Sequence, residues 1–285
     1  MGVYAITGAR SGMGREVVER LRKAGHDCIT VDLADADVAA DLSASDGRQE
    51  AAAAVLERCG GILDGAVMAA GLGPTPGTPA RRILEVNYAG TVELLRAWRP
   101  ALAASGGPDF AKVVVFSSNS TTTMPLVPRR AVKGLLDDNT PAAERAVRRF
   151  GGRAPTFAYG ASKIALSRWV RRTAVTSDWA GAGIRLNAIA PGAIRTPLLE
   201  AQLADPKQAK LIKTFPVPVG GFGDPGDIAD WTVFMLSPAA KFLCGSVVFV
   251  DGGTDAYFRA DDWPRPVPLR GLPAYGRRFK RKNAA

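Results

Sequence analysis

Apolar and polar positions follow a regular order along most of the chain, in which short apolar runs alternate with longer segments of helical periodicity. The pattern predicts strands at 3–7, 28–32, 62–71, 112–118, 184–192 and 247–251, and helices up to about 24 and at 47–59, 80–104, 156–180 and 225–237. Pro100 predicts a kink or a boundary within the helix 80–104. Such alternation is typical of an α/β fold in which a doubly wound parallel sheet carries helices on both faces. We therefore expect a single domain over residues 1–254.

Two segments do not follow this alternation. Residues 120–154 are expected to form a helical insertion of two short helices, the second capped by Thr140 with Pro141 in its first turn. Residues 255–285 form a basic, proline-containing tail beyond the last strand, and we expect this tail to be extended. The insertion lengthens the step from one strand to the next helix, and the tail lies outside the predicted domain.

The composition narrows the classes of protein to which the chain can belong. The 285 residues are 47% apolar but contain no run of about 18 apolar residues, so we predict no transmembrane helix. The N-terminus leads straight into the first strand without a leader pattern, which predicts a cytoplasmic protein. His26 is the single histidine, and Cys28, Cys59 and Cys244 are scattered, so neither a metal site nor a serine–histidine triad is expected.

The net charge of +10 is concentrated in the two additional segments. Residues 128–153 carry seven basic and three acidic side chains, and residues 254–285 carry eight and three. The remainder of the chain is therefore nearly neutral. The basic end of the tail permits weak binding to nucleic acid or to an acidic membrane. A solvated tail is the favoured interpretation, and we expect no nucleic-acid partner.

A glycine-rich turn, TGARSGMG, follows the first strand and opens the first helix. Gly8, Gly12 and Gly14 allow the backbone to approach a pyrophosphate at a helix N-terminus, as in dinucleotide-binding folds of the Rossmann type. Asp32 ends the second strand, where a carboxylate accepts hydrogen bonds from the adenosine ribose. Its charge would repel a 2′-phosphate, so NAD is predicted over NADP. Arg10 is an opposing signal, because a basic residue near the turn could offset such a phosphate.

Tyr159 and Lys163 have the spacing Tyr-x-x-x-Lys within a predicted helix. Residues four apart lie on the same face of a helix. A tyrosine with a pKa of about 10 is a poor acid or base at neutral pH. A lysine at about 4 Å would lower that pKa, and the pair is therefore predicted to perform acid–base chemistry.

Five motifs occur in an order that resembles the short-chain dehydrogenase/reductase family over about residues 2–254. They are TGxxxGxG, Asn-x-Ala-Gly at Asn87–Gly90, the serine pair Ser117-Ser118, Tyr159-x-x-x-Lys163 and Pro191-Gly192. Within the family, stretches such as AGLGP at 70–74 and VDGGTDA at 250–256 are similar to those of the bacterial 3α-hydroxysteroid dehydrogenase/carbonyl reductase group. The long segment between Ser118 and Tyr159 is also a feature of that group.

The resemblance implies a role for each catalytic residue. Tyr159 would exchange a proton with the alcohol or carbonyl oxygen, and Lys163 would lower the pKa of Tyr159 and hydrogen-bond the nicotinamide ribose. Ser118 would bind the reacting oxygen, although Ser117 remains an alternative. Asn87 would hold a water molecule that links Lys163 to solvent. Hydride would pass directly between the substrate carbon and the nicotinamide.

The cofactor site combines the glycine-rich turn with positions that the resemblance adds. Thr196 and the turn at 191–194 would orient the nicotinamide carboxamide, and Asp41-Leu42 would contact the adenine edge unless it is only a loop. The predicted cofactor-binding residues are Gly8, Arg10, Ser11, Gly12, Met13, Gly14, Asp32, Asp41, Leu42, Ala70, Gly71, Tyr159, Lys163, Pro191, Gly192, Ile194 and Thr196. The sequence MAAG at 68–71 departs from the Asn-Asn-Ala-Gly frequent in the family.

The sequence indicates the substrate and the oligomeric state less directly than it indicates the cofactor site. The segment after Pro191 is expected to cover the nicotinamide as a lid, with the apolar face Leu198, Leu199, Leu203, Leu211, Ile212 and Phe215. This face favours a hydrophobic alcohol or ketone such as a 3α-hydroxysteroid. The alternatives are a dehydrogenase of a smaller alcohol and a catalytically silent NAD-binding interaction protein. The insertion is expected to block one dimer contact of the family and leave a homodimer through the last helix and strand, with a tetramer as the alternative.

Overall fold

The protein forms three layers, in which helices cover both faces of one parallel sheet. The structure is a computed structural model that describes residues 2–105, 111–262 and 266–282. Its seven strands are β1 Val3–Thr7, β2 Asp27–Asp32, β3 Val38–Ala39, β4 Gly65–Met68, β5 Ala111–Phe116, β6 Ile184–Pro191 and β7 Val247–Val250. All pairings are parallel, in the order β3-β2-β1-β4-β5-β6-β7. The predicted α/β fold is therefore confirmed, and the short edge strand β3 is an addition to it.

The helices occupy the steps between these strands. They are α1 Gly12–Lys23, α2 Ser45–Arg58, α3 Ala80–Leu84, α4 Thr91–Ala104, α5 Ser120–Thr123, α6 Arg129–Leu136, α7 Thr140–Arg148, α8 Ala154–Thr173, α9 Pro197–Leu203, α10 Pro206–Lys213, α11 Pro225–Leu236, α12 Thr254–Phe258 and α13 Leu272–Lys282. Side chains alternate along each strand, and the two faces of the sheet form separate cores. Val113 and Val115 of β5 pack on one side with α2, α4 and α8, whereas Val114 and Phe116 pack on the other side with α1 and α11.

The order of the strands reverses next to β1. The chain moves from β1 outward to β2 and β3, and then returns to place β4 on the other side of β1. In open α/β sheets, a crevice forms at the carboxyl ends of the strands at such a reversal, and ligands bind in it. Gly8 follows β1 and Ala70 follows β4, so the glycine-rich turn lies in this crevice.

The insertion belongs to the main core. Ala131 and Leu135 of α6 and Val147 of α7 are fully or almost fully buried, in the same core as α8. The predicted two helices are present, but the side chain of Asn139, rather than that of Thr140, caps α7 by accepting the Ala142 backbone N–H at 2.9 Å. Thr140 is already the first helical residue, because an asparagine side chain one position earlier reaches the free N–H groups.

Several predicted boundaries are wrong. Pro100, predicted to mark a kink or a boundary, is not a boundary, because α4 continues through this proline to Ala104. The interruption lies instead at a π-helical turn, Glu85–Gly90, between α3 and α4. Within the tail, α13 replaces the extended chain that the prolines predicted. Pro273 fits there because the first turn of a helix does not need its missing N–H.

Within the described ranges, no helix is both long and apolar enough to cross a membrane.

Candidate active site

The glycine-rich turn packs its backbone against neighbouring backbone. Gly8 and Gly12 have φ values of +69° and +53°, which side chains rarely permit. A Cβ atom on Gly14 would lie 2.1 Å from the Gly8 carbonyl oxygen, and one on Gly8 would lie 2.6 Å from the Ala70 nitrogen. These positions require glycine for the turn to close over the N-terminus of α1. The turn therefore has the shape of a phosphate-binding loop with free N–H groups at a helix end.

Asp32 is fixed at the carboxyl end of β2. Its two carboxylate oxygens accept the backbone N–H groups of Arg10 at 3.0 Å and of Leu33 at 2.7 Å. The guanidinium of Arg10 lies beside Asp35, with Nε 3.3 Å from the carboxylate. Arg10 thus contributes its backbone to the position of Asp32, while its side chain is paired with another acid.

One cleft connects the turn with Tyr159 and Lys163, and Ser117 also lines it, whereas Ser118 and Asn87 are not among its lining residues. The cleft has a cavity volume of about 240 Å³. Thirteen of the predicted cofactor residues line it, namely Gly8, Ser11, Gly12, Met13, Gly14, Asp32, Asp41, Leu42, Ala70, Gly71, Tyr159, Lys163 and Thr196. The structure therefore brings most of the predicted site together. Arg10, Pro191, Gly192 and Ile194 are not among the residues that line the cleft.

The turn after β6 is held by backbone hydrogen bonds to the segment after β5 and to the end of β7. Pro191 accepts the Asn119 backbone N–H at 3.0 Å, and Gly192 donates to the Val250 carbonyl at 3.1 Å. Ile194 is buried. Thr196 caps α9 by accepting the Leu199 backbone N–H at 3.3 Å, and its methyl group would be 3.3 Å from a Cβ atom on Gly12. Thr196 thus joins the lid to the glycine-rich turn.

The two serines after β5 face different surroundings. The Ser117 hydroxyl bonds the Ser167 hydroxyl at 2.6 Å, which directs it into the packing against α8. The Ser118 hydroxyl accepts the Ser120 backbone N–H at 3.1 Å, and hydrogen bonding by its side chain lowers the pKa of Tyr159 against the effect of burial. This geometry favours Ser118 over Ser117 as the partner of Tyr159.

Tyr159 and Lys163 lie together on α8, as their spacing predicted. The Lys163 ammonium lies 5.9 Å from the centre of the Tyr159 ring and donates to the Phe116 carbonyl at 2.7 Å. Burial lowers the pKa of Lys163 to about 8. Burial also raises the pKa of Tyr159, and the bond from Ser118 only opposes this shift.

The predicted lowering of the Tyr159 pKa by Lys163 is therefore absent from this structure. The prediction took the charge of the lysine to outweigh the loss of water, whereas burial is the larger effect on the pKa of Tyr159. Desolvation disfavours the phenolate and the ammonium alike. At neutral pH, the buried pair therefore consists of a neutral phenol and a lysine that is still largely protonated.

Asn87 lies in the π-helical turn and holds the loop after β4. Its amide oxygen accepts the Leu72 backbone N–H at 2.7 Å, and its amide nitrogen donates to the Leu72 carbonyl at 2.9 Å. Asn87 is fully buried. Its observed contacts therefore position the segment 69–72, which lines the cleft, and its predicted link through water stays a prediction.

Some residues of the cleft carry no motif. Leu33, Leu72, Arg82, Val86 and Leu198 line it. Arg82 and Val86 are four residues apart in one helical segment, and this spacing before Asn87 is the signal that could have identified them.

The segment predicted as a lid contains two helices, α9 and α10, and its closure over the nicotinamide stays a prediction. Leu198 lines the cleft, Leu199 is buried, and Leu203, Ile212 and Phe215 are half-buried. The side chain of Leu211, also predicted for this face, lies outside the described residues. The ring of Phe215 packs on Phe258 of α12, with centroids 5.5 Å apart. The lid is therefore connected to the segment after β7.

Comparisons with known proteins cover nearly the whole chain. The family model described as NAD dependent epimerase/dehydratase family matches residues 4–197, and the model described as enoyl-(acyl carrier protein) reductase matches residues 143–255. The 3-alpha-hydroxysteroid dehydrogenase/carbonyl reductase of Comamonas testosteroni is 38% identical over 91% of this chain and 98% of its own length. The galactitol 2-dehydrogenase of Cereibacter sphaeroides is 32% identical over 87% and 93%.

A solved structure gives the same result. The 3-alpha-hydroxysteroid dehydrogenase from Pseudomonas sp. B-0831, complexed with NADH, superposes with a TM-score of 0.84 at 41% identity. The match covers 91% of this chain and 99% of that one. The fold and the sequence therefore agree over the same residues.

Proposed function

Because the chain belongs to the short-chain dehydrogenase/reductase family, we propose that it is an NAD-dependent oxidoreductase that interconverts a secondary alcohol and a ketone. The observation that carries this proposal is the placement of Tyr159 and Lys163 in the cleft that begins at the glycine-rich turn, with Ser118 as the side chain whose hydrogen bonding lowers the pKa of Tyr159. The Comamonas and Cereibacter relatives, which both match over most of their length, are both dehydrogenases by name.

Ser118 and Tyr159 hold and protonate the reacting oxygen. In the reductive direction, the neutral Tyr159 phenol donates a proton to the carbonyl oxygen while the Ser118 hydroxyl hydrogen-bonds it. In the oxidative direction, the Tyr159 phenolate takes the proton of the alcohol. The bound nicotinamide supplies or accepts the hydride at the substrate carbon.

The raised pKa of Tyr159 gives the two directions opposite pH dependences. Reduction uses the phenol, which is present at neutral pH, whereas oxidation uses the phenolate, which increases as the pH rises. We therefore expect the rate of oxidation to increase as the pH rises towards the raised pKa of Tyr159, and the rate of reduction to decrease only as the pH reaches that pKa.

Three acidic groups support NAD as the cofactor. Asp32 lies in the cleft at the end of β2, where a 2′-phosphate would meet its charge. Asp35 pairs with Arg10, which reduces the positive potential available for such a phosphate. Asp41 also lines this part of the cleft. The related hydroxysteroid dehydrogenase was solved with NADH.

The lid supports a hydrophobic substrate. Leu198 faces the cleft, and the half-buried apolar residues of α9 and α10 provide a surface for a bulky ring system. We assign a 3α-hydroxysteroid as the substrate on this surface and on the activity in the name of the Comamonas relative.

A homodimer through α11 and β7 completes the proposal. Trp231 and Phe234 of α11 are 44% and 47% exposed, and Phe242 is fully exposed. Every residue of the edge strand β7 is partly exposed although all four are apolar. A second copy would cover this surface.

The test is NADH formation with a panel of 3α-, 3β- and 17β-hydroxysteroids and simple cyclic alcohols, in wild type and Tyr159→Phe. The proposal expects turnover of a 3α-hydroxysteroid that is lost in Tyr159→Phe while NAD binding is retained. Turnover of small alcohols alone would keep the reaction and overturn the steroid. NAD binding without turnover of any alcohol or ketone would overturn the enzymatic function in favour of an interaction protein.

A further inference from the structure

Arg82 is the one cationic side chain besides Lys163 among the residues that line the described cleft. It lies on α3, and its Nη2 atom is 3.6 Å from the Asp41 carboxylate. The two side chains therefore meet across the mouth of the cleft, one from α3 and one from the loop before α2. Both side chains are about half exposed, so the pair lies at the surface of the protein, at the mouth of the cleft.

Asp41 is held firmly enough to orient Arg82. Its other carboxylate oxygen accepts both the backbone N–H of Ser43 at 2.9 Å and the Ser43 hydroxyl at 2.7 Å. These bonds from Ser43 lower the pKa of Asp41, so its charge is present at neutral pH. The adjacent Arg81 takes a different direction, because its Nε atom lies 3.8 Å from Glu85 and the residue does not line the cleft.

The surroundings of this pair suit a flat aromatic ring. Apolar residues form the walls of this end of the cleft, among them Leu33, Leu42 and Val86. A guanidinium is planar and stacks on aromatic faces, whereas an ammonium acts as a point charge. Because Asp41 balances the charge of Arg82, the guanidinium presents a flat face to a ligand. It does not present an unpaired charge that would select a phosphate.

We propose that Arg82 is a cofactor-binding residue whose guanidinium, held by Asp41, covers the purine ring of the dinucleotide. This inference rests on the proposed function, because it assumes the dinucleotide in the cleft. It assigns Asp41 a second task beside the adenine contact expected from its position: to hold the covering side chain. The predicted consequence is affinity for the adenosine half of the cofactor alone.

Calorimetry of ligand binding tests the proposal without relying on turnover. The ligands are ADP-ribose, nicotinamide mononucleotide, NAD and NADP, and the variants are Arg82→Gln, Arg82→Lys and Asp41→Asn. Arg81→Gln is the matched control, because it removes the same charge one residue away and outside the cleft. We expect Arg82→Gln and Arg82→Lys to weaken ADP-ribose binding by about fivefold to tenfold. Asp41→Asn should weaken it less, and nicotinamide mononucleotide and Arg81→Gln should show no change.

Each other result would overturn a defined part of the proposal. Equal losses in Arg81→Gln and Arg82→Gln would indicate a general effect of charge. Full affinity in Arg82→Lys would show that a point charge suffices, and a loss confined to NADP would place Arg82 at a phosphate. Failure of wild type to bind ADP-ribose or NAD would overturn the cofactor assignment itself, whereas normal binding by both wild type and Arg82→Gln would overturn only the role of Arg82.

Discussion

Burial lowers the pKa of Lys163 from 10.5 to about 8. A folded-state pKa below the unfolded value means that the unfolded chain binds the proton more tightly between these two pH values. The contribution of Lys163 to stability therefore rises with pH from about 8 to 10.5 and is unfavourable below that window. A shift of this size corresponds to on the order of 3 kcal/mol.

We therefore expect Lys163→Met to raise the free energy of unfolding at neutral pH while it abolishes turnover. The net gain should be on the order of 1 to 2 kcal/mol, since the Phe116 carbonyl loses the lysine as its donor. Denaturant unfolding of wild type and variant at neutral pH and near pH 10 measures this. The advantage of the variant should shrink at the higher pH, and a variant that is less stable at neutral pH would contradict the argument.

Asp32 is expected to determine the choice between the two nicotinamide cofactors. Asp32→Asn keeps an acceptor for the Arg10 and Leu33 N–H groups but removes the charge that opposes a 2′-phosphate. We expect kcat/KM with NADP relative to NAD to rise at least about tenfold, or about 1.4 kcal/mol. Asp35→Asn is the comparison, because it releases Arg10 while leaving the ribose contact intact. An unchanged ratio in Asp32→Asn would place the discrimination elsewhere.

The sequence predicted which residues meet in the site better than it predicted their protonation. The spacing of Tyr159 and Lys163 and the positions of Gly8, Gly14 and Asp32 depend on local structure, which the sequence pattern shows. The pKa of Lys163 depends instead on β5, which supplies the Phe116 carbonyl, and on burial by distant elements. Arg82 was missed for the same reason, because its partner Asp41 comes from another part of the chain.

The insertion of α6 and α7 is expected to be necessary for folding, because its apolar face is part of the core beside the catalytic helix. Leu135 is fully buried and contributes to that core, whereas the adjacent Leu136 is half-buried. Leu135→Ala should lower the free energy of unfolding by about 2 to 5 kcal/mol, and Leu136→Ala should lower it by less. Both variants should still unfold in a single transition, as measured by thermal and denaturant unfolding. A Leu135→Ala variant as stable as wild type would show that the insertion is only attached.

Strands and helices with strong hydrophobic periodicity were predicted correctly. The predictions that depended on a single residue, such as a helix cap or a helix boundary, were wrong. All six predicted strands are present, but β3 has only two residues and gives no periodic signal. Asn139 and Thr140 are both good capping residues, so the cap of α7 depended on which side chain reaches the Ala142 N–H. Pro100 lies inside α4 without ending it. The helical segment predicted at 80–104 is instead interrupted at the π-helical turn that contains Asn87.

At the scale of the whole molecule, the two edges of the sheet are unlike. The β3 edge has two residues, whereas the β7 edge is a longer apolar strand beside the exposed aromatic residues of α11. An exposed apolar edge strand invites pairing with another chain unless it is covered. The insertion, by contrast, covers the face of α8 with its own helices.

These surfaces predict a homodimer through α11 and β7. One charged side chain introduced into this interface should dissociate the dimer. Phe234→Asp places a carboxylate in the proposed interface, and light scattering should show the molecular mass of a monomer in place of a dimer. Phe150→Asp is the matched control, because Phe150 is 43% exposed, close to the 47% of Phe234, but lies within the insertion, just after α7. It should leave the dimer intact. A dimer lost in Phe150→Asp but kept in Phe234→Asp, or a wild-type tetramer, would place a contact at the catalytic helix and contradict the blocking role of the insertion.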